Sequence, residues 1–456
     1  MSLGLLLFCF VIAVVLIIFM IARLKIHPFL TLMSVSVLLG LFAGVPLANM
    51  PGIIGTSFSG IFKSIGIVII FGALIGAILE HTGAGLKIAS VVVGALRNRH
   101  PDLAMLIIGW IVGIPVFCDS GFVVLNPVRK AIASRLATSP TALSVALSGG
   151  LYASHVFIPP TPGPVAAAGA LGLGDSLLLV IILGVVVSVP VLAAVYIFAR
   201  YVARKDELLP ASNEVIFNEF DTAINETKLP SFTLSIAPIL VPVLLMALGS
   251  ISSIAGLGGE FAEVIKFIGN PVIALAFGLI LALVLLALQD KFKNLSKLTE
   301  DTLKTVGPIL FITAAGGVLG GVIKSAGFVD IIKANASALS GAGLVLAFVI
   351  SAVLKTAQGS STVAIVTTAS ILGLYTVDDS MLTILGLGSE MGAALAVLAI
   401  GAGAMCVSHA NDSYFWVVTS LSGLSTQQGY RTQTAMTLIM GLVGVLSVCL
   451  LSVVLL

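Results

Sequence analysis

Two of the five histidines in this 456-residue chain share one setting. Ser154-His155 and Ser408-His409 each fall where a long apolar run is broken by polar residues. The first break reads LYASHVFIPPTPGP (Leu151–Pro164) and brings Pro160 and Thr161 close behind His155. The second reads CVSHANDSYFW (Cys406–Trp416) and adds Asn411, Asp412 and Ser413. Two more interruptions carry chemistry. In GIPVFCDSGF, Asp119 stands between Cys118 and Ser120, with Gly121 behind. In KTAQGSST, Lys355 precedes Gln358, Gly359, Ser360, Ser361 and Thr362. A lysine among amide and hydroxyl groups suits a carboxylate that bears hydroxyls, and helix N-termini freed at such breaks also attract anions. Asp119, Asp412, His155 and His409 are candidate proton carriers, because ionisable groups at membrane depth are costly and imidazole titrates near neutrality. The plainer readings are a helix cap for the serines and for Asp119, and an interhelical hydrogen bond for each histidine.

Other chemistries fit less well. Ser408, His409 and Asp412 are the residue types of a hydrolase, but adjacent Ser and His rarely align and no GxSxG elbow accompanies them. A channel would need symmetric rings of polar groups. No GxxxxGK[ST] loop is present, so the chain is not expected to hydrolyse ATP, and no catalytic residue is assigned. Cys9, Cys118, Cys406 and Cys449 have no paired spacing, which argues against a disulfide framework or a metal site. No basic stripe points to nucleic acid. Glu80 and His81 close an apolar segment and are read as solvated; His27 and His100 are read as interfacial.

The elements that must position these groups are membrane helices. The chain is 59% hydrophobic and 9% charged, against about 25% charged in soluble domains, and it contains repeated apolar runs of membrane-spanning length. The expected fold is an all-α polytopic membrane protein. Residues 1–22 read as its first helix rather than a cleaved signal. Three alignments relate the halves: KIHPFLTL with IGNPVIAL (Pro28 over Pro271), KSIG with KTVG, and GALIGAILEHTG with GGVLGGVIKSAG, at offsets of 243, 241 and 244. With the N-terminus outside, all basic residues except Lys63, Lys266, Lys324, Lys333 and Lys355 fall on the cytoplasmic side, as positive charge should. The run 103–128 then has cytoplasmic basic clusters on both flanks (Arg97 and Arg99; Arg129, Lys130 and Arg135) and reads as a re-entrant hairpin. Its counterpart is 343–374. The expected organisation is a first inverted repeat, 1–200, a cytoplasmic linker, 201–230, and a second repeat, 231–456, each with about five transmembrane helices and one hairpin. Inverted repeats with matching broken segments are a hallmark of secondary transporters.

At GIPVFCDSGFVVLNP, SHVFIPPTPGPVAAAG, LKTAQGSSTVA and SHANDSYFW the chain resembles, nearly end to end, the gluconate permease (GntP) family of proton symporters, within the larger ion-transporter superfamily. The resemblance implies a multi-pass carrier of the bacterial inner membrane, driven by the proton gradient without a cofactor, taking gluconate or another small organic anion. It also implies a homodimer in which a domain bearing both hairpins slides against a scaffold, an elevator motion. The chain departs from the family pattern at Cys118, Ser120 and Tyr414, so glycerate or D-serine stands beside gluconate as an alternative substrate.

Overall fold

The computed structural model describes residues 8, 9, 12, 13, 15–17, 19, 20, 23–95, 100–136, 138–205, 229–254, 259–326, 342–377, 380–409 and 412–456. Most of the expected linker, together with Arg97, Arg99, Lys333 and Asn411, lies outside them. The described residues are helical, with no strand among them. Six of their helices are long and apolar enough to cross a membrane, or seven if the pair bent by 72° at Gly83 is one span.

An outer group of helices holds α1 (Pro28–Phe42), α2 (Met50–Ile61), α3 (Ile67–Thr82) and α4 (Ala84–Ala95). It also holds α10 (Phe232–Ile254), α11 (Glu260–Gly269), α12 (Pro271–Leu288) and α13 (Leu295–Ser325), with α13 packed along α1, α2 and α3. Proline opens α1 and α12 at a position whose N–H would be unpaired in any case. There, His27 accepts from Phe29 N and Asn270 from Val272 N, so the aligned prolines begin their helices in the same way.

The second group contains the broken segments. α5 (Pro101–Val112) and α6 (Cys118–Arg135) are separated at residues 113–117, and α7 (Pro140–Phe157) and α8 (Pro162–Leu171) at 158–161; α9 (Leu177–Lys205) follows. In the second half, α14 (Gly343–Gln358) and α15 (Ser361–Leu372) meet at Gly359 and Ser360. A break at 406–412 separates α16 (Glu390–Met405) from α17 (Ser413–Leu421), and α18 (Thr426–Leu455) ends the chain. Twelve residues in α5 rise only about 18 Å, short of a hydrocarbon core of about 30 Å. Ser154 and His155 lie within α7, not in its break. The Ser154 hydroxyl donates back to the Gly150 and Leu151 carbonyls, and the helix ends only where the prolines begin.

The two halves interlock. α5 lies along α7 and α14 along α16, while α15 packs on α8 and α17 on α6. The α5–α7 crossing is close enough to require glycine: a Cβ at Gly150 would collide with the Leu106 carbonyl oxygen and stand 2.8 Å from Trp110 N. Outward faces remain apolar; Ile197, Leu244, Phe277, Leu288, Leu446 and Leu450 are exposed, as lipid contact requires.

Two outcomes follow. Gly150→Ala must push the α5 and α7 backbones apart and is expected to cost ~1–3 kcal/mol, read as a lowered unfolding midpoint in detergent; an unchanged midpoint contradicts this packing. If α5 and α6 form a re-entrant hairpin, cysteines at the exposed positions His100 and Lys130 label from the cytoplasmic side alone. Labelling from opposite faces makes the segment a span.

Candidate functional site

Lys355 sits in the last turn of α14. Gly359 ends that helix at φ 93°, a left-handed conformation that side chains avoid. The turn folds the Lys355 ammonium onto the Gly359 carbonyl, to which it donates. The same ammonium donates to Asp412 Oδ2 at 2.6 Å and faces the Tyr152 ring, its centroid 5.9 Å away. Both sides of this ion pair are sealed, with side-chain exposures of 1% and 6%.

Asp412 does two things. As N-cap of α17 it accepts from Tyr414 N through Oδ1 at 3.0 Å, satisfying one of the free donors at a helix start. Through Oδ2 it accepts from Lys355 and from the Ser408 hydroxyl, the latter at 2.5 Å. The turn carrying Ser408 is held by α18: Ser408 N donates to Thr437 Oγ1 at 2.9 Å, and Thr434 Oγ1 donates to Ser408 O. Val407 in that turn has φ 55°, a strained position for a β-branched residue. His409 pairs with the Thr356 carbonyl at 3.0 Å, linking the break to the last turns of α14. Ser408 therefore bonds Asp412 and His409 bonds backbone. A hydrolase needs its nucleophile on its base, so this geometry overturns that reading.

Aromatic residues form one wall. The Tyr152 and Tyr414 rings lie 5.2 Å apart, Phe122 meets Tyr414 edge-on, and the Tyr414 hydroxyl donates to Ser148 O at 3.0 Å. Asp119, in the first turn of α6, is within electrostatic reach of Asp412 and Lys355 and interacts with the Ser413 hydroxyl; its Oδ1 is buried without a hydrogen-bond partner. Cys118 is buried beside it. His155 is also buried, against Phe117, with Nδ1 unpartnered.

Other expected site residues are placed elsewhere or used structurally. Ser360 caps α15, accepting from Val363 N, while Ser361 is buried against the Tyr152 hydroxyl. Gln358 is the last residue of α14, and Thr362 is half-buried. Thr161 spends its hydroxyl within its own turn, on Ile158 O. Pro160 packs against Gly72 of α3. Ser120 bonds Glu80, which is half-buried rather than solvated as its place at a segment end implied; His81 is exposed and pairs with Asn294.

Sequence reading missed Tyr152, whose only signal was its place three residues before His155, and it misplaced Arg129. Read as a cytoplasmic loop cation, Arg129 is 3% exposed. It donates to Asn126 Oδ1 at 2.9 and 2.8 Å, Pro140 O at 3.1 Å and Leu421 O at 3.3 Å. One guanidinium thus ties α6 to the start of α7 and the end of α17. The orphan carbonyls at the end of α17 draw it inward.

A cavity of about 680 Å³ lies between the two helix groups, bounded by α2, α12 and α13 and by the ends of α8 and α15. Its polar lining includes Ser57, Lys63, Asp175, Asn270 and Ser370. Lys355 and Asp412 do not line it.

This fold is shared with a membrane transporter of known structure. The structure superposes on the YdaH transporter of Alcanivorax borkumensis with a TM-score of 0.63, covering 93% of this chain and 97% of that one at 17% identity, so the likeness is one of fold. Residues 5–454 match the model of the GntP family permeases, and the chain belongs to that family. It is 32% identical over 450 residues to the inner membrane permease YgbN of Escherichia coli, with 95% of each chain covered. It is 31% identical over 444 residues to a gluconate permease of Pseudomonas aeruginosa, with 96% of this chain and 95% of that one covered. The protein is a multi-pass permease of the inner membrane and not an enzyme.

Arg129→Ala strands carbonyls in three elements. It is expected to cost ~3 kcal/mol or more, since each of the three acceptors left unpaired costs ~1–3 kcal/mol, again read as unfolding midpoint. Arg129→Lys, a compact point charge without the planar guanidinium fork that spans these acceptors, should recover only a fraction of the loss.

Proposed function

We propose that this permease imports a small sugar acid or related hydroxy acid, gluconate first among them, in symport with protons. The observation that carries the reading is the sealed Lys355–Asp412 pair at the junction of the second hairpin and the second broken helix. A buried cation among hydroxyls suits a carboxylate with hydroxyl groups, and the permease of Pseudomonas aeruginosa that this chain resembles is named for gluconate. Lys355 takes the carboxylate. Ser361, Thr362, Ser413 and His409, with Asn411 and Gln358, are the candidates for the substrate hydroxyls. The coupling proton sits on Asp119, His155, His409 or Asp412, since a gradient acts only through differential binding in the two access states. The energy source is the proton gradient.

The halves 1–200 and 231–456 are inverted repeats joined by 201–230, and the group bearing α5–α9 and α14–α18 moves as an elevator against the outer helices, in a homodimer. The common caps of α1 and α12 and the interlocking hairpins support that picture. The cavity beside Lys63 and Asn270 is the vestibule between the groups. A second reading, D-serine, is favoured by the unpartnered Asp119 Oδ1, which would receive an ammonium while Lys355 holds the carboxylate.

The test is uptake into membrane vesicles under an imposed inward proton gradient, with gluconate, glycerate and D-serine. Gluconate is expected to accumulate and to leak out when a protonophore collapses the gradient. Accumulation of D-serine alone transfers the assignment to the second reading, and accumulation of none refutes both. Lys355→Ala should raise the apparent KM for gluconate at least ~10-fold, because removing one partner of a desolvated charge contact costs ~2–5 kcal/mol.

A further inference from the structure

An ammonium has three N–H donors, and the fold occupies the surroundings of this one. Lys355 donates to Asp412 Oδ2 and to Gly359 O, and its remaining side meets the Tyr152 ring. A substrate carboxylate finds no vacant charged partner there while Asp412 is ionised. The carbonyl and the ring are neutral and weak competitors; the Asp412 carboxylate is the strong one. We infer, resting on the carrier reading above, that the substrate carboxylate and Asp412 are alternative partners of Lys355, and that a proton taken by Asp412 releases the ammonium to the substrate.

Charge counting around the pair favours this exchange. The groups facing Asp412 are Lys355 from α14, Asp119 and Cys118 from α6, Tyr152 and His155 from α7, and Tyr414 from α17. With both aspartates ionised, one lysine already meets two negative charges. A carboxylate arriving alone makes a third beside an ion pair whose side chains are almost wholly buried. A carboxylate arriving with one proton leaves the total unchanged. Asp119 could hold that proton, but its doing so would leave Lys355 occupied. Protonation of Asp412 corrects the charge and frees the donor in one step.

Asp412 is also built to let go without unravelling its surroundings. Oδ1 alone makes the cap to Tyr414 N, so the start of α17 keeps its acceptor. The proton occupies Oδ2, the oxygen that Lys355 leaves, and from there donates to the Ser408 hydroxyl already 2.5 Å away. The reverse order empties the site: loss of the proton lets Asp412 reclaim Lys355 and expel the anion. Proton and substrate therefore raise each other's affinity, as linkage requires.

The experiment is calorimetric binding of gluconate to purified full-length protein from mildly acidic to mildly alkaline pH. In the wild type the Kd is expected to rise as pH rises, approaching about tenfold per pH unit, the slope of one linked proton. Buffers of different ionisation enthalpy should then report one proton taken up per gluconate bound. Asp412→Asn keeps the cap oxygen and is permanently uncharged, so its Kd is expected to be flat with pH and its proton uptake zero. Asp412→Ser, which also caps, serves in its place if the amide does not fold. A pH slope that survives in the Asp412 variants overturns the inference, as does a slope lost in Asp119→Asn and retained in them. A wild type that binds and transports no sugar acid at any pH refutes the carrier reading itself, which separates the two failures.

Discussion

An ammonium sealed inside a lipid-embedded chain has to be matched by a charge held nearby, because an isolated buried ion costs far more than a folded protein has to spare. Lys355 is matched by Asp412, and the surrounding fold follows from keeping those two groups together. The lysine is presented by a helix stopped at Gly359, in the one backbone conformation that turns the tip back on itself. The aspartate is presented by a helix that restarts at Ser413 and needs an N-cap in any case. Breaking two helices thus supplies the cation, its partner and the local dipoles that steady them.

The remainder of the inner group is a device for holding four helix ends at one place. α5 lies along α7 and α14 along α16 within each half, while α6 meets α17 and α15 meets α8 across the halves, so neither half closes its site alone. Arg129 fastens one margin of that exchange by donating to carbonyls at the start of the next helix and at the end of the chain-distant α17. Tyr152 and Tyr414 fill the centre with ring surface while their hydroxyls reach the Ala404 and Ser148 carbonyls, which makes them wall and strut together. Outside this body the long helices carry bare aliphatic faces, and a cavity lies between the two groups beside α13, which itself packs on α15 and α8.

What could be read from one dimension is what depends on local chemistry. Apolar length dictated membrane helices. Proline and glycine dictated where they stop: at Pro159 and Pro160, at Pro115 and at Gly359. The rarity of charge inside such runs singled out Asp119, Lys355 and Asp412 before any coordinates. Those features need only the chain's immediate neighbourhood and the cost of leaving backbone unpaired in lipid. Partnership does not follow from that neighbourhood. Lys355 is separated from Asp412 by 57 positions and Arg129 from Leu421 by 292, so which carboxylate answers the lysine, and that an arginine in a basic cluster turns inward, were decided by packing. For the same reason Ser154 and His155 looked like members of a break and proved to be the last turns of a helix, while Thr161 and Ser360 spent their hydroxyls on their own backbone. A sequence states where a membrane chain must interrupt its helices. Only the folded chain brings two interruptions within 2.6 Å of each other, because that distance is a sum over every contact between them.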